Sequence, residues 1–198
     1  MTAQEPEILI FEGERMYMPT TPDLNGKADC GFSLHTANHR GYVGVWEIIE
    51  NKLYLNEVHN GFMPEKGPFF ADWVSQELHV WKGNLLHYVH AGYGSTYEED
   101  MFLSLDNGIV KCSVIESNVE KFKNRALQEV CDANSKENIR HLYGKYLDPL
   151  GSLSRLIEKS TDRKQEYVAL QKDLEFDIKQ RLIVLSEDPA SGITLVYR

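Results

Sequence analysis

Six of the seven histidines fall before residue 118, so metal binding and general-base chemistry are the first roles to test. His87 and His90 are three residues apart. That spacing shares one face of a helix, but on a strand the two rings leave opposite faces and cannot chelate one ion. His35 and His39 are four apart, with Ala37-Asn38 between them reading as a strand end or turn. Neither pair has a third ligand at a recognised spacing, so the sequence predicts no metal centre and no cofactor. Cys30, Cys112 and Cys131 are odd in number and form no C-x-x-C pair. They read as ordinary buried thiols in a reducing cytoplasm, in keeping with a first few residues that show no apolar secretory core.

Gly92-Tyr93-Gly94-Ser95 invites comparison with a dinucleotide-binding loop. Such a loop needs a third glycine where Tyr97 stands, and a helix after it, whereas a strand-like run follows. The segment therefore reads as a bend that displays Tyr93 and Tyr97 beside Glu98, Glu99 and Asp100. Tyrosines flanked by carboxylates suit protein recognition, and these five residues form the candidate partner-binding set. The competing reading is a solvated acidic loop edge, in which at most Glu98 and Asp100 share a face.

Asp72 sits in the apolar run Pro68-Phe69-Phe70-Ala71-Asp72-Trp73. A buried carboxylate there needs a partner or a raised pKa, and Arg40 is the natural cation. With Trp46, Trp73 and His87, this pair defines a possible ligand pocket inside a curled sheet. Neither a Gly-x-Ser-x-Gly elbow nor a His-Glu-x-x-His motif is present, and no residue is assigned a catalytic role. The run from Arg40 to Ile48, with Lys52 to Leu55, resembles small bacterial proteins without an assigned role, a likeness that implies no mechanism.

The elements that position these residues follow from pattern. The 198 residues, 42% hydrophobic and 26% charged, match a soluble globular chain, and no stretch approaches the roughly 20 apolar residues of a membrane span. The net charge of −9 is uneven: residues 1–117 hold seven Lys/Arg against seventeen Asp/Glu, residues 118–198 fourteen against thirteen. That acidity disfavours nucleic acid and anionic lipid; it either serves only to keep the chain soluble or offers a complementary surface to a basic protein.

From Ile8 to Ile115 the chain reads as successive strands, with Phe32–Thr36 among them and hairpin turns at Glu50-Asn51, Lys82-Gly83-Asn84 and Asp106-Asn107-Gly108. At Ser117 the period becomes helical. Ser117 with Glu120 fits a capping box, and Asn134 with Glu137 fits a second cap. Residues 153–185 form one helix or two, with Tyr167, Leu170, Leu174 and Ile178 as a stripe that packs on the sheet or on a second copy. Ile193–Tyr197 reads as a last strand.

The expectation is an α+β protein: a curved antiparallel meander of about seven or eight strands over residues 1–117, with a partial barrel as one form open to it, and a mainly helical region over 118–198 packed on it and ending in a last strand. Its expected function is a non-catalytic cytoplasmic binding protein of the inhibitor or immunity type. The alternative is a nucleotide or metabolite sensor, or an enzyme, with a pocket in the sheet.

Overall fold

The computed structural model describes residues 2–30 and 36–187. The fold is α+β, with an eight-stranded sheet of which seven strands form a ring, followed by four helices. Two compact units emerge, the first comprising residues 1–83 and 88–118, the second residues 84–87 and 119–198. Of the strand expected at Phe32–Thr36, residues 32–35 lie outside the described residues and Thr36 is in a turn; the strand expected at Ile193–Tyr197 also lies outside them.

In the first unit, β1 (Glu7–Phe11) and β2 (Glu14–Met18) form a hairpin through Glu12-Gly13. β4 (Val43–Ile49) and β5 (Lys52–His59) form another through Glu50-Asn51, both residues at positive φ. The short β3 (Asp29–Cys30) pairs with β6 (Gly61–Phe62) as a separate ribbon, and β7 (Phe69–Phe70) pairs with β5. β8 (Glu77–His87), β9 (Thr96–Asp106) and β10 (Ile109–Ser117) complete the sheet in the order β10-β9-β8-β2-β1-β4-β5-β7. A contact between Ile109 and Lys52 closes the ring.

Inward residues alternate along β2 and along the second half of β9, as a half-buried sheet requires. Leu9, Met18, Trp46, Leu53, Leu55, Leu78, Val80 and Leu103 are all fully buried in one cluster. Side chains thus fill the ring, as they do in other small barrels.

Three details depart from the meander expectation. β1 runs parallel to β4, with Ile8 opposite Val45. Both strands are buried on two faces here, since Ile8, Val43 and Val45 form a second small cluster behind the main core. Such two-sided burial is the habitat of parallel pairs.

Next, no turn occurs at Lys82-Gly83-Asn84, because β8 runs straight through it. Gly83 has φ +79°, and a Cβ there would collide with the Glu98 carboxylate. In a strand interior a glycine marks such a close approach as readily as a bend. Third, Ser117 ends β10 opposite Glu99, and the helix starts at Val119.

The helices of the second unit are α1 (Val119–Asp132), α2 (Lys136–Tyr146), α3 (Ser152–Lys159) and α4 (Lys164–Glu187). Ser135, rather than Asn134, caps α2 by accepting from the Asn138 amide. Residues 153–185 are two helices, separated at Ser160, whose hydroxyl accepts from the Arg163 amide. The stripe of Tyr167, Leu170, Leu174 and Ile178 is buried in this unit's own core with Phe122, Ala126, Ile139 and Leu153. Among the described residues, no helix is long and apolar enough to cross a membrane.

Two glycines with similar φ give a test of how the ring is held. Gly13 (φ +79°) faces open space, whereas a Cβ at Gly108 (φ +71°) would lie 2.5 Å from the Ala71 carbonyl oxygen. Gly13→Ala is expected to cost about 1 kcal/mol of left-handed strain, and Gly108→Ala ~3 kcal/mol because the ring seam must also shift. Urea midpoints of the two variants measure the difference, and equal losses would contradict it.

Candidate functional site

A buried polar centre of the sheet unit is built on Glu7, the first residue of β1, which is 0% exposed. Its Oε2 accepts from the Gly44 amide and, at 3.2 Å, from Trp46 Nε1. Its Oε1 lies 3.3 Å from Arg40 Nη2. Arg40 is presented by the turn Asn38–Gly41, in which the Gly41 amide bonds to both the carbonyl and the side chain of Asn38. Arg40 Nη1 donates to Tyr93 Oη at 2.7 Å, and Nη2 donates to the Glu5 carbonyl at 2.7 Å. The guanidinium also lies 5.5 Å from the Tyr42 ring centre.

Aromatic rings extend this centre across the sheet. Tyr93 meets Trp81 edge-on, and Trp81 stacks on Tyr97 at 4.9 Å. His79 meets Trp81 edge-on and stacks on Phe102 at 4.9 Å. His79 Nε2 lies 2.7 Å from Asp100 Oδ1, while Asn118 Nδ2 donates to Asp100 Oδ2 at 2.7 Å. The result is a continuous band from Glu7 to Phe102.

Electrostatics separate the two ends of the band. Burial pushes the Glu7 carboxyl up to about 7, against the pull of Arg40, Trp46 and the Gly44 amide. Burial also raises the Tyr93 and Tyr97 hydroxyls. A carboxyl with no exposure has no route to a substrate, so Glu7 anchors β1 to β4 and to the Arg40 turn. In the helical unit, burial and then the charges of Arg125 and Lys145 lower His87, with Glu129 opposing them. Burial works to raise the Glu129 carboxyl, but bonds from Lys145, Tyr146 and Arg125 hold it below its usual range.

The sequence-derived candidates fare unequally. Tyr93, Tyr97, Glu98, Glu99 and Asp100 do lie close together, but none is fully exposed. Thr96–Asp106 is strand, not loop; Glu98 is buried beside Gly83, and Asp100 is engaged by His79 and Asn118. Glu98 and Asp100 therefore serve different neighbours instead of converging.

The pocket set does not assemble. Arg40 and Trp46 meet at Glu7, but Asp72 is exposed, and Trp73 Nε1 donates to the Asp23 carbonyl. His87 belongs with the helical unit. Of the thiols expected to be buried, Cys112 and Cys131 are free and exposed, because β10 is exposed along its length and Cys131 is on the polar face of α1.

Glu7 and the His79–Asp100 pair were not singled out by sequence reasoning. The signal for Glu7 was a lone acid at the head of an apolar run, and the pair required knowing which strand lies beside β8. Among the described residues, no group of three His, Cys, Asp or Glu side chains is arranged to hold a metal ion. A shallow depression of about 130 Å³ is lined by Gly26, Lys27, Pro64, Glu65 and Phe69, none of them in the aromatic band. Comparison of the chain with models of known protein families, with curated proteins and with solved structures found no match.

The Glu7 shift has a defined pH consequence. Between about pH 4.5 and 7 the folded chain keeps a proton that the unfolded chain has released, so stability falls as pH rises through that window and levels off above it. Glu7→Gln is expected to remove that slope, worth ~3 kcal/mol across the window. Urea denaturation of both proteins from pH 5 to 8 checks this, and parallel profiles would contradict it.

Proposed function

We propose that this chain is a non-catalytic binding protein of the inhibitor or immunity type, whose sheet unit docks on a basic protein. The observation that carries the reading is the surface charge of that unit. Eleven of its seventeen carboxylates are exposed, among them Glu12, Glu14, Glu50, Glu57, Asp106 and Glu116, against four of its seven cations. A surplus of that size attracts cationic surfaces over about a Debye length and speeds encounter, while it repels phosphate backbones and anionic lipid. The core supports docking over a ligand pocket, since Trp46, Leu53, Leu55 and Leu103 occupy the space that a metabolite would need. Tyr17, 48% exposed and opposite Trp81, and Tyr88, 56% exposed, supply aromatic contact area of the kind that anchors protein interfaces. In this reading the free thiols fit a reducing cytoplasm.

Affinity capture on the full chain from its native lysate, at roughly 0.05 and 0.2 M salt, tests the proposal. The expected result is a stoichiometric basic protein whose association slows at the higher salt. No stoichiometric partner under either condition would count against it, as would a thermal shift of several degrees with a nucleotide or metabolite.

A further inference from the structure

We infer that the docking proposed above takes place along the outer edge of β10, where an extended basic segment of the partner adds to the sheet as a further strand. The inference rests on that binding reading and names its site.

Three observations carry it. First, β10 pairs with β9 along nearly its whole length, but with β5 only at Ile109. Among the described residues, nothing registers on the other side of Lys111–Ile115. A strand edge of this kind presents a row of backbone donors and acceptors. Second, Lys111 to Ile115 are exposed on both faces, and the neighbouring Val114 and Ile115, 50% and 53% exposed, point to opposite sides. Soluble proteins blunt an edge with Pro, charge, a bulge or a cover. Here there is no Pro, the one charge, Lys111, is 3.6 Å from Asp106, and the bulge falls at Lys111, after which Cys112 to Ile115 keep regular register on β9.

Third, the charges around the edge select the occupant. Exposed Asp106 and Glu116 lie near its two ends. An incoming strand of alternating Lys or Arg and β-branched residues would place cations toward these carboxylates and apolar side chains on Val114 and Ile115. A second copy of the chain fits less well, because each sheet unit carries the same negative surplus and repels its twin.

The test uses the full chain and a capped, fluorescent octapeptide of alternating Lys and Val, compared with the same peptide carrying Pro in place of two Val. Anisotropy should show the Pro-free peptide binding at least tenfold tighter, with amide exchange slowed over residues 111–115. V114K/I115K, two exposed substitutions, should weaken binding at least tenfold with the urea midpoint unchanged. E12K/E14K, a larger charge change on the β1–β2 turn, should weaken it less than threefold.

Salt-sensitive binding that ignores both the Pro residues and V114K/I115K would overturn the edge assignment and leave the acidic-surface reading standing. No binding of either cationic peptide at low salt would overturn both. A concentration-dependent dimer abolished by V114K/I115K would assign the edge to a second copy, and so also overturn the proposal.

Discussion

Seven strands close on themselves where two hairpin turns meet. The Val110 amide donates to the Asn51 carbonyl and the Leu53 amide to the Gly108 carbonyl, both at 2.8 Å. These two bonds join the β4–β5 and β9–β10 hairpins, whose turn residues Glu50, Asn51, Asn107 and Gly108 all have positive φ. A third bond, from the Gly108 amide to the Val74 carbonyl, fixes the seam from inside. Two of the ring's contacts rest on a single residue pair, β2 with β8 at Tyr17 and Trp81 and β10 with β5 at Ile109 and Lys52, and beyond the second, among the described residues, β10 continues alone beside β9. The same seam that completes the core therefore leaves one edge open.

In the closed sheet, side chains take up the interior. The interior holds large apolar side chains, and its most buried ionisable group, Glu7, is tied up by Gly44, Trp46 and Arg40. A buried ion pair of this kind adds little net stability, but removing one partner leaves an uncompensated charge. Its role here is positional: it fixes where β1 lies on β4 and how the Arg40 turn meets Tyr93. The outer surface carries the exposed carboxylates, and the band from Tyr93 to Phe102 gives it a rigid aromatic floor.

Local signals were legible in the sequence where the chemistry is local. Asn51 and Asn107-Gly108 sit in turns because few other residue types accept left-handed backbone, and the change to helical spacing near residue 118 marks the start of α1. Gly83 misled because a glycine inside a strand answers equally to a turn and to a crowding neighbour, here Glu98. The parallel β1–β4 pair was hidden because, among the described residues, no helix connects the two strands, and the pairing of Arg40 with Glu7 instead of Asp72 depends on it. Once β1 lies beside β4, Glu7 stands next to Gly44 and Trp46, while Asp72, just beyond β7, is exposed. The His79–Asp100 contact likewise depends on which strands are neighbours, which alternation alone does not reveal.

Native-state hydrogen exchange on the isolated full chain tests the closed ring with one open edge most directly. The account predicts that the Leu53 and Val110 amides exchange only with global unfolding, while outward-facing amides between Lys111 and Ile115 exchange orders of magnitude faster than those bonded to β9. Fast exchange at Leu53 and Val110, or uniform protection from 111 to 115, would show respectively that the seam is not closed or that the edge is already covered.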